Sequence, residues 1–250
     1  MHDATIALLA AMREEMDGLR EEMGLAGVSN GLHWRLLEGE YEGRKVLLMQ
    51  TGPGRKRAEG AADLVMERYP IACLVSIGFA GALVPGLKVA DILLCRELAC
   101  ADSAHTGLLR HSDPGILSLA KDAVGARVGR LRVGRAVTVE KVASRSEEKK
   151  ALGEAFGAQV ADMESYWLAG RAAARGVPFL AVRAVSDALA QTLPPFDQYL
   201  SPEGGWLWRR TVLGFLRNPA DLARLPRLYL NALRARRSLT RVVGSLLPRL

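Results

Sequence analysis

Phe179-Leu180-Ala181-Val182-Arg183-Ala184-Val185-Ser186-Asp187 is the stretch whose reading decides the fold. A short, nearly continuous apolar run that ends in Ser-Asp reads as a strand covered on both faces, because a half-exposed strand would alternate. Comparable runs recur over 5–10, 45–51, 72–77, 91–98, 131–139 and 160–163. Helical patterns separate them over 14–23, 57–69, 114–124, 145–156 and 166–175. The alternation predicts an α/β fold of three layers, αβα, around a mostly parallel, mixed central sheet. It also predicts a division into residues 1–200, a catalytic domain, and residues 201–250, a basic amphipathic helical appendage.

Composition narrows the class. The 250 residues are 49% hydrophobic and 24% charged, enough for a large buried core and unlike a disordered chain. No apolar run approaches the ~20 residues that span a bilayer. The segment from Ala4 to Met12 follows Asp3 and precedes Arg13-Glu14-Glu15, so it reads as a first strand and not as a signal peptide. Cys73, Cys95 and Cys100 lack metal-like spacing and are expected as reduced thiols of a cytosolic protein. Four scattered histidines offer no zinc site. No metal and no organic cofactor is expected.

The net charge of +7 is unevenly spread. Residues 206–250 hold ten arginines against a single acid, Asp221, a formal +9, so the rest of the chain carries −2. Leu222, Leu225, Leu228, Leu233, Leu239, Val242, Val243 and Leu246 recur there at near-helical intervals. Pro219 suits a first helical turn behind an Asn218 cap, and Pro226 is expected to divide the segment into two helices. The favoured reading is an amphipathic helix docked on an anionic membrane surface. Packing on the body or on a second copy is the alternative. Nucleic acid is disfavoured, because aromatics for stacking are few and the leucines are arranged for burial.

Two acidic segments carry the chemistry. Ala161-Asp162-Met163-Glu164-Ser165 opens one helix, and Ser186-Asp187 ends the strand that follows it. In an open α/β sheet ligands gather at strand carboxyl ends, where these groups can converge with Glu15 behind the first strand. Such a set fits cleavage of a base from a ribose, which develops oxocarbenium character. Asp187 is the candidate acid that protonates the departing purine, its pKa expected to rise by burial. Glu164 is the candidate acceptor for ribose hydroxyls and Glu15 the candidate activator of water. Taken singly, each acid fits a helix cap or a solvated face equally well. Their joint placement points to a site.

Two glycine segments add to it. Thr51-Gly52-Pro53-Gly54, before Arg55, is expected to offer free backbone N–H groups to phosphate or ribose. In Ser76-Ile77-Gly78-Phe79-Ala80-Gly81-Ala82-Leu83 the glycines allow close approach of backbone to a ligand. Neither matches a Walker A or dinucleotide fingerprint. With Glu164, the expected substrate-binding residues are Gly78, Phe79, Gly81, Val160, Asp162, Met163, Arg183 and Ser186.

These motifs, in this order, resemble the nucleoside phosphorylase/nucleosidase superfamily over residues 4 to about 200, in particular the methylthioadenosine/S-adenosylhomocysteine nucleosidases. The Ala-Met-Glu-Glu-Glu of that family appears as Ala11-Met12-Arg13-Glu14-Glu15. Its Glu-Met-Glu and Arg-Ala-Ile-Ser-Asp segments appear as Asp162-Met163-Glu164 and Arg183-Ala184-Val185-Ser186-Asp187, with Asp162 in place of a glutamate. Phe79 stands where a small residue is usual. The resemblance implies Glu15 as the water activator, Glu164 as the ribose binder, Asp187 as the purine acid, and a homodimer. The arginine-rich end is similar to the hopanoid-associated branch, which implies release of adenine from adenosylhopane by a cytoplasmic enzyme docked on the inner membrane. Glu15 favours hydrolysis, since a carboxylate repels phosphate. Phosphate as co-substrate stays open through Arg55, Lys56 and Arg57. A methylthioadenosine/S-adenosylhomocysteine or futalosine nucleosidase, and a non-catalytic lipid-binding protein, are the rival readings.

Overall fold

The computed structural model describes residues 5–31, 34–124, 130–194 and 219–250. Its elements are β1 (Thr5–Ala10), α1 (Arg13–Met23), β2 (Ala26–Asn30), β3 (Arg35–Tyr41), β4 (Arg44–Gln50), α2 (Arg55–Arg68), β5 (Ile71–Ala82), β6 (Ile92–Cys100) and β7 (Arg110–His111). Then come α3 (Pro114–Val124), β8 (Leu131–Thr138), α4 (Ser146–Phe156), β9 (Val160–Asp162), α5 (Ser165–Ala174), β10 (Phe179–Asp187) and α6 (Pro219–Leu246). The boundary expected at residue 200 lies outside the described residues, as does Asn218.

The apolar runs become the strands because both of their faces are covered. All six residues of β1 are buried. On one side of the sheet α1, α3 and α6 share a core with Leu8, Val75 and Val182. On the other, α2 and α5 close over Leu9, Leu47 and Ala181. The sheet is mixed, with five parallel and five antiparallel pairings among the described residues.

The sheet does not stay open. Its order runs β10-β6-β8-β9-β5-β1-β4-β3-β2, and β10 also pairs with β5, so five strands close into a ring. β5 makes this possible by its length of 12 residues. Along one edge it pairs first with β1 over Ile71 to Ser76, then with β9 at Gly81 and Ala82. Between them neither β1 nor β9 pairs with Ile77 to Ala80. That gap faces the candidate site.

Three strands escaped the sequence reading: β2, β3 and the two-residue β7. β3 and β4 form a hairpin whose turn, Glu42-Gly43, has φ of 52° and 77°, the left-handed pair that suits a two-residue connection. β3 interleaves charges with Leu36 and Leu37, and β2 is small and polar, so neither shows a clean apolar run.

The C-terminal segment departs further from expectation. α6 is one helix that runs through Pro226, not two. The proline forfeits one N–H bond, and it lies ahead of the packed stretch. From Asn231 onward the apolar face turns inward. Ala235, Leu239, Val242, Val243, Leu246 and Leu247 sit in the core with Met16, Leu19 and Met23 of α1 and with Ile116 and Leu117 of α3. Of the residues expected to seat in a lipid boundary, Leu239, Val242, Val243 and Leu246 are therefore core residues. Ahead of that stretch Tyr229 and Leu230 are 65% and 53% exposed.

Candidate active site

The site forms around the gap in β5. Glu15 leaves the first turn of α1 and is 3% exposed. Its Oε1 accepts the N–H of Phe79 at 2.8 Å and its Oε2 the N–H of Met12 at 2.9 Å. A carboxylate thus takes the place that a neighbouring strand would fill. Gly78 is what lets it in, since a Cβ there would stand 2.9 Å from Glu15 Oε1. Burial pushes the Glu15 carboxyl above the usual carboxylate range, against the lowering effect of its N–H donors and of Arg183.

Asp187 closes the other end of the same segment, paired in register with Gly81. A Cβ on Gly81 would lie 3.0 Å from Asp187 Oδ2, so a bare backbone is again needed. Ser186, expected among the substrate binders, donates from Oγ to Asp187 Oδ1 at 2.7 Å. The other oxygen meets a group that the sequence reading passed over. Lys149, from α4, donates to Asp187 Oδ2 at 2.5 Å, and both side chains are buried, at 1% and 7% exposure. The acid expected from the sequence is thus buried and gripped by a cation that the motifs did not include.

Glu164 caps the start of α5, half-buried, and its Oε1 accepts the N–H of Gly54 at 2.9 Å. Gly54 reaches it from a backbone at φ 90°, a conformation that few other residues adopt. Burial first, then the Asp162 and Glu15 carboxylates, push Glu164 up to about 8. Its coupling to Glu15 places those two acids in one electrostatic neighbourhood. Met163, beside it, is partly buried against Val137 and Ala158.

Other expected residues serve behind the site. Arg183 is 2% exposed, and its Nε donates to Asp162 Oδ2 at 2.7 Å. Its two terminal nitrogens donate to Ser76 O and Oγ at 3.0 and 2.7 Å. Asp162 Oδ1 accepts Thr138 Oγ1 at 2.7 Å and the Ser165 N–H at 3.3 Å. Asp162 and Arg183, expected to bind substrate, are instead occupied by each other and their neighbours. Val160 is fully buried in the core under α5 and lines no surface. Phe79 contributes its backbone, while its side chain packs against the core of α1, α3 and α6.

The glycine turn is less open than expected. Thr51 and Gly52 donate to Ala10 O and Ala11 O, which fastens the turn beside β1, and Gly54 is taken by Glu164. Arg55 stacks over Trp167 at 4.1 Å and lies 3.3 Å from Glu59 and 3.9 Å from Asp102. Neither its guanidinium nor these N–H groups form a free anion cradle. Among the described residues no cluster of three His, Cys, Asp or Glu is placed to hold a metal ion. All three cysteines are buried and free.

Ser76, Thr138 and Lys149 were not singled out as individual site residues in the sequence. Ser76 and Thr138 had a weak signal as polar residues within apolar strands. Lys149 had none, because Glu147-Glu148-Lys149-Lys150 reads as a solvated helix face.

What this arrangement can do is protonate a leaving group at Asp187, hold a polyol at Glu164 and deprotonate a water at Glu15. Known proteins are similar to this chain in sequence and fold. The 5′-methylthioadenosine/S-adenosylhomocysteine nucleosidase of Bacillus subtilis is 25% identical over 213 residues, 78% of this chain and 91% of its own. The crystal structure of the corresponding Neisseria meningitidis nucleosidase with methylthio-immucillin-A superposes with a TM-score of 0.77 at 22% identity, covering 98% of this chain and 99% of its own. The futalosine hydrolase of Helicobacter pylori superposes at 0.73 and 20% identity, over 96% and 97% of the two chains. The likeness in fold takes in the C-terminal helix. Residues 5–198 match the phosphorylase superfamily, and the chain belongs to it.

Proposed function

We propose that this protein is a purine N-ribosidase that releases adenine by hydrolysis. The observation that carries the reading is the placement of Glu15 and Asp187 against Gly78 and Gly81 of one strand, with Glu164 charge-coupled to Glu15. As the C1′–N9 bond breaks, Asp187 delivers a proton to the purine ring, so that adenine leaves as a neutral base. The ribose hydroxyls donate to Glu164, and both they and the positive charge growing at C1′ favour its ionised form. Water attacks C1′ and loses its proton to Glu15, whose raised pKa suits a base working near neutrality. Hydrolysis is preferred over phosphorolysis because the N–H groups of the 51–54 turn and the Arg55 guanidinium are already engaged.

The substrate belongs to the same proposal. We infer an adenosyl lipid, adenosylhopane by the resemblance of the arginine-rich end, converted to ribosylhopane at the cytoplasmic face of a membrane. The support is the run of ten arginines in residues 206–250 and the exposed Tyr229 and Leu230 beside Arg227 and Arg234. Each arginine near an anionic surface contributes about 1 kcal/mol. Because Leu239, Val242, Val243 and Leu246 are core residues, docking is assigned to the part of α6 around Tyr229 and Leu230. No helix among the described residues is long and apolar enough to cross a membrane. A homodimer is part of this reading, checked by light scattering. The second reading, a methylthioadenosine/S-adenosylhomocysteine nucleosidase, draws on the relatives named above and on the buried half of α6.

The experiment is adenine release, followed by chromatography, from detergent-dispersed adenosylhopane and from methylthioadenosine, each with and without phosphate. Phosphate-independent release from the lipid is the expected result. Release from methylthioadenosine alone assigns the small-molecule activity. Release only with phosphate makes the enzyme a phosphorylase. Vesicle binding with no release under any condition leaves a lipid-binding protein on this fold.

A further inference from the structure

Lys149 has no part in the expected catalytic set, yet it is the most deeply buried lysine in the described structure, 1% exposed. Its three ammonium protons all have acceptors, namely Asp187 Oδ2 at 2.5 Å, Gln191 O at 2.8 Å and Ala188 O at 3.2 Å. Its neighbour Lys150 projects into solvent, its side chain 69% exposed. A buried ion pair is a poor means of stabilising a fold, since desolvation cancels much of the attraction and an apolar pair of similar size does as well. A charge buried at such a cost, against the one carboxyl assigned to proton transfer, calls for a role in that transfer.

We propose that Lys149 is the positioning residue of the acid, and that the proton given to the purine is one that Lys149 and Asp187 share. The proposal rests on the nucleosidase reading above. Lys149 grips Oδ2 and ties it to the 188–191 turn, while Ser186 sets Oδ1, so the carboxyl has one orientation toward the ring. In the resting pair the proton sits between ammonium and carboxylate. When C1′–N9 breaks, its electron pair passes to the purine and the shared proton leaves through Asp187 to a ring nitrogen. What stays behind is a neutral amine beside a carboxylate, which regains one proton from solvent. The hydroxide that completes the ribose comes from water, whose other proton goes to Glu15. Charge and atoms balance with no further reactant.

The test separates leaving groups. Wild-type and Lys149→Met enzymes are compared on the adenosyl substrate that the wild type cleaves fastest and on a 4-nitrophenyl riboside with the same 5′ group, whose phenolate departs without a proton. Lys149→Met should lower kcat for adenine release by at least ~100-fold with KM within about 3-fold, while nitrophenol release falls by no more than about 5-fold. Adenine release within about 3-fold of wild type, or equal losses in both reactions, overturns the proposal. Should Lys149→Met not fold, the Lys149→Met/Asp187→Asn variant, which buries no lone charge, takes its place. Its adenine release should equal that of Asp187→Asn alone, because two residues acting through one proton are not additive. A further loss of about 10-fold or more would overturn the shared-proton pair. A wild type that releases neither product fails the nucleosidase reading itself, a result distinct from a wild type that works and a Lys149→Met variant that works equally well.

Discussion

Two buried ion pairs lie four residues apart along β10, and they are built differently. The Arg183–Asp162 pair, 2% and 1% exposed, is hydrogen-bonded on both sides, with Ser76 on the guanidinium and Thr138 and Ser165 on the carboxylate. The Lys149–Asp187 pair is equally dry, but its second carboxyl oxygen is met only by the half-buried Ser186, beside the bare backbone of Gly81. The first pair fastens β9 to β5 and β10, and its hydrogen bonds all run to the strands and helix around it. The second keeps one oxygen within reach of the site. Depth of burial does not separate a structural pair from a catalytic one. Position relative to the gap in β5 does, since Asp187 stands at its end, against Gly81.

The sharpest way to break this comparison is to remove a charge from each pair. Arg183→Met strands Asp162 in the core and should cost about 3–5 kcal/mol of stability, read by denaturant unfolding. Retention of the wild-type midpoint would mean that the pair is not structural. Asp187→Asn should lower kcat at least ~100-fold, and its loss of stability should be smaller than that of Arg183→Met, because Lys149 retains two carbonyl acceptors. Full activity in that variant would remove Asp187 from the chemistry.

Glu164 supplies a pH test. Its pKa is raised from 4.5 to about 8 in the folded protein, so between those values the unfolded chain has lost a proton that the native state keeps. Its contribution to stability is therefore complete below about pH 4.5 and is lost as pH rises to about 8. Glu164→Gln should flatten that part of the stability profile, and an unchanged slope would show that another group controls it. A smaller effect is expected at Asn231, whose Nδ2 donates to Gln191 Oε1 at 3.0 Å and joins α6 to the turn that Lys149 holds. Asn231→Ala should cost about 1 kcal/mol in thermal unfolding. Least of all, Lys150→Met should change stability by under about 0.5 kcal/mol, as its pairing with Glu154 at 3.8 Å is solvent-exposed. A large effect there would blur the contrast with Lys149.

Much of the frame was readable in the chain. Residues 5–10, 114–124 and 179–185 show their element types through unbroken apolar runs or helical spacing, because a strand covered on both faces and a helix with one apolar face leave those patterns. β2 and β3 did not, since a half-exposed edge hairpin interleaves charge with its few leucines. At the site, Glu15, Glu164 and Asp187 stood out because each lies at or just beyond the end of a strand, where chain direction alone brings groups to one end of a sheet. Asp162 and Arg183 carry the same motifs but spend their charges on each other, and no local pattern distinguishes a carboxylate facing a ligand from one facing an arginine.

The sequence by itself determined what is local: which segments are strands, which are helices, and which acids stand at their ends. Backbone periodicity and side-chain polarity act over a few residues. Only the tertiary structure decided what depends on distant partners. β10 pairs with β5 as well as β6, and so a ring replaces an open sheet. Lys149 sheds its water while Lys150 keeps it, because one points at Asp187, 38 residues away, and the other at solvent. Leu239 and Val243 fill the core between α1 and α3 although their spacing suits a membrane equally well, because an amphipathic face specifies that something apolar must cover it and not what.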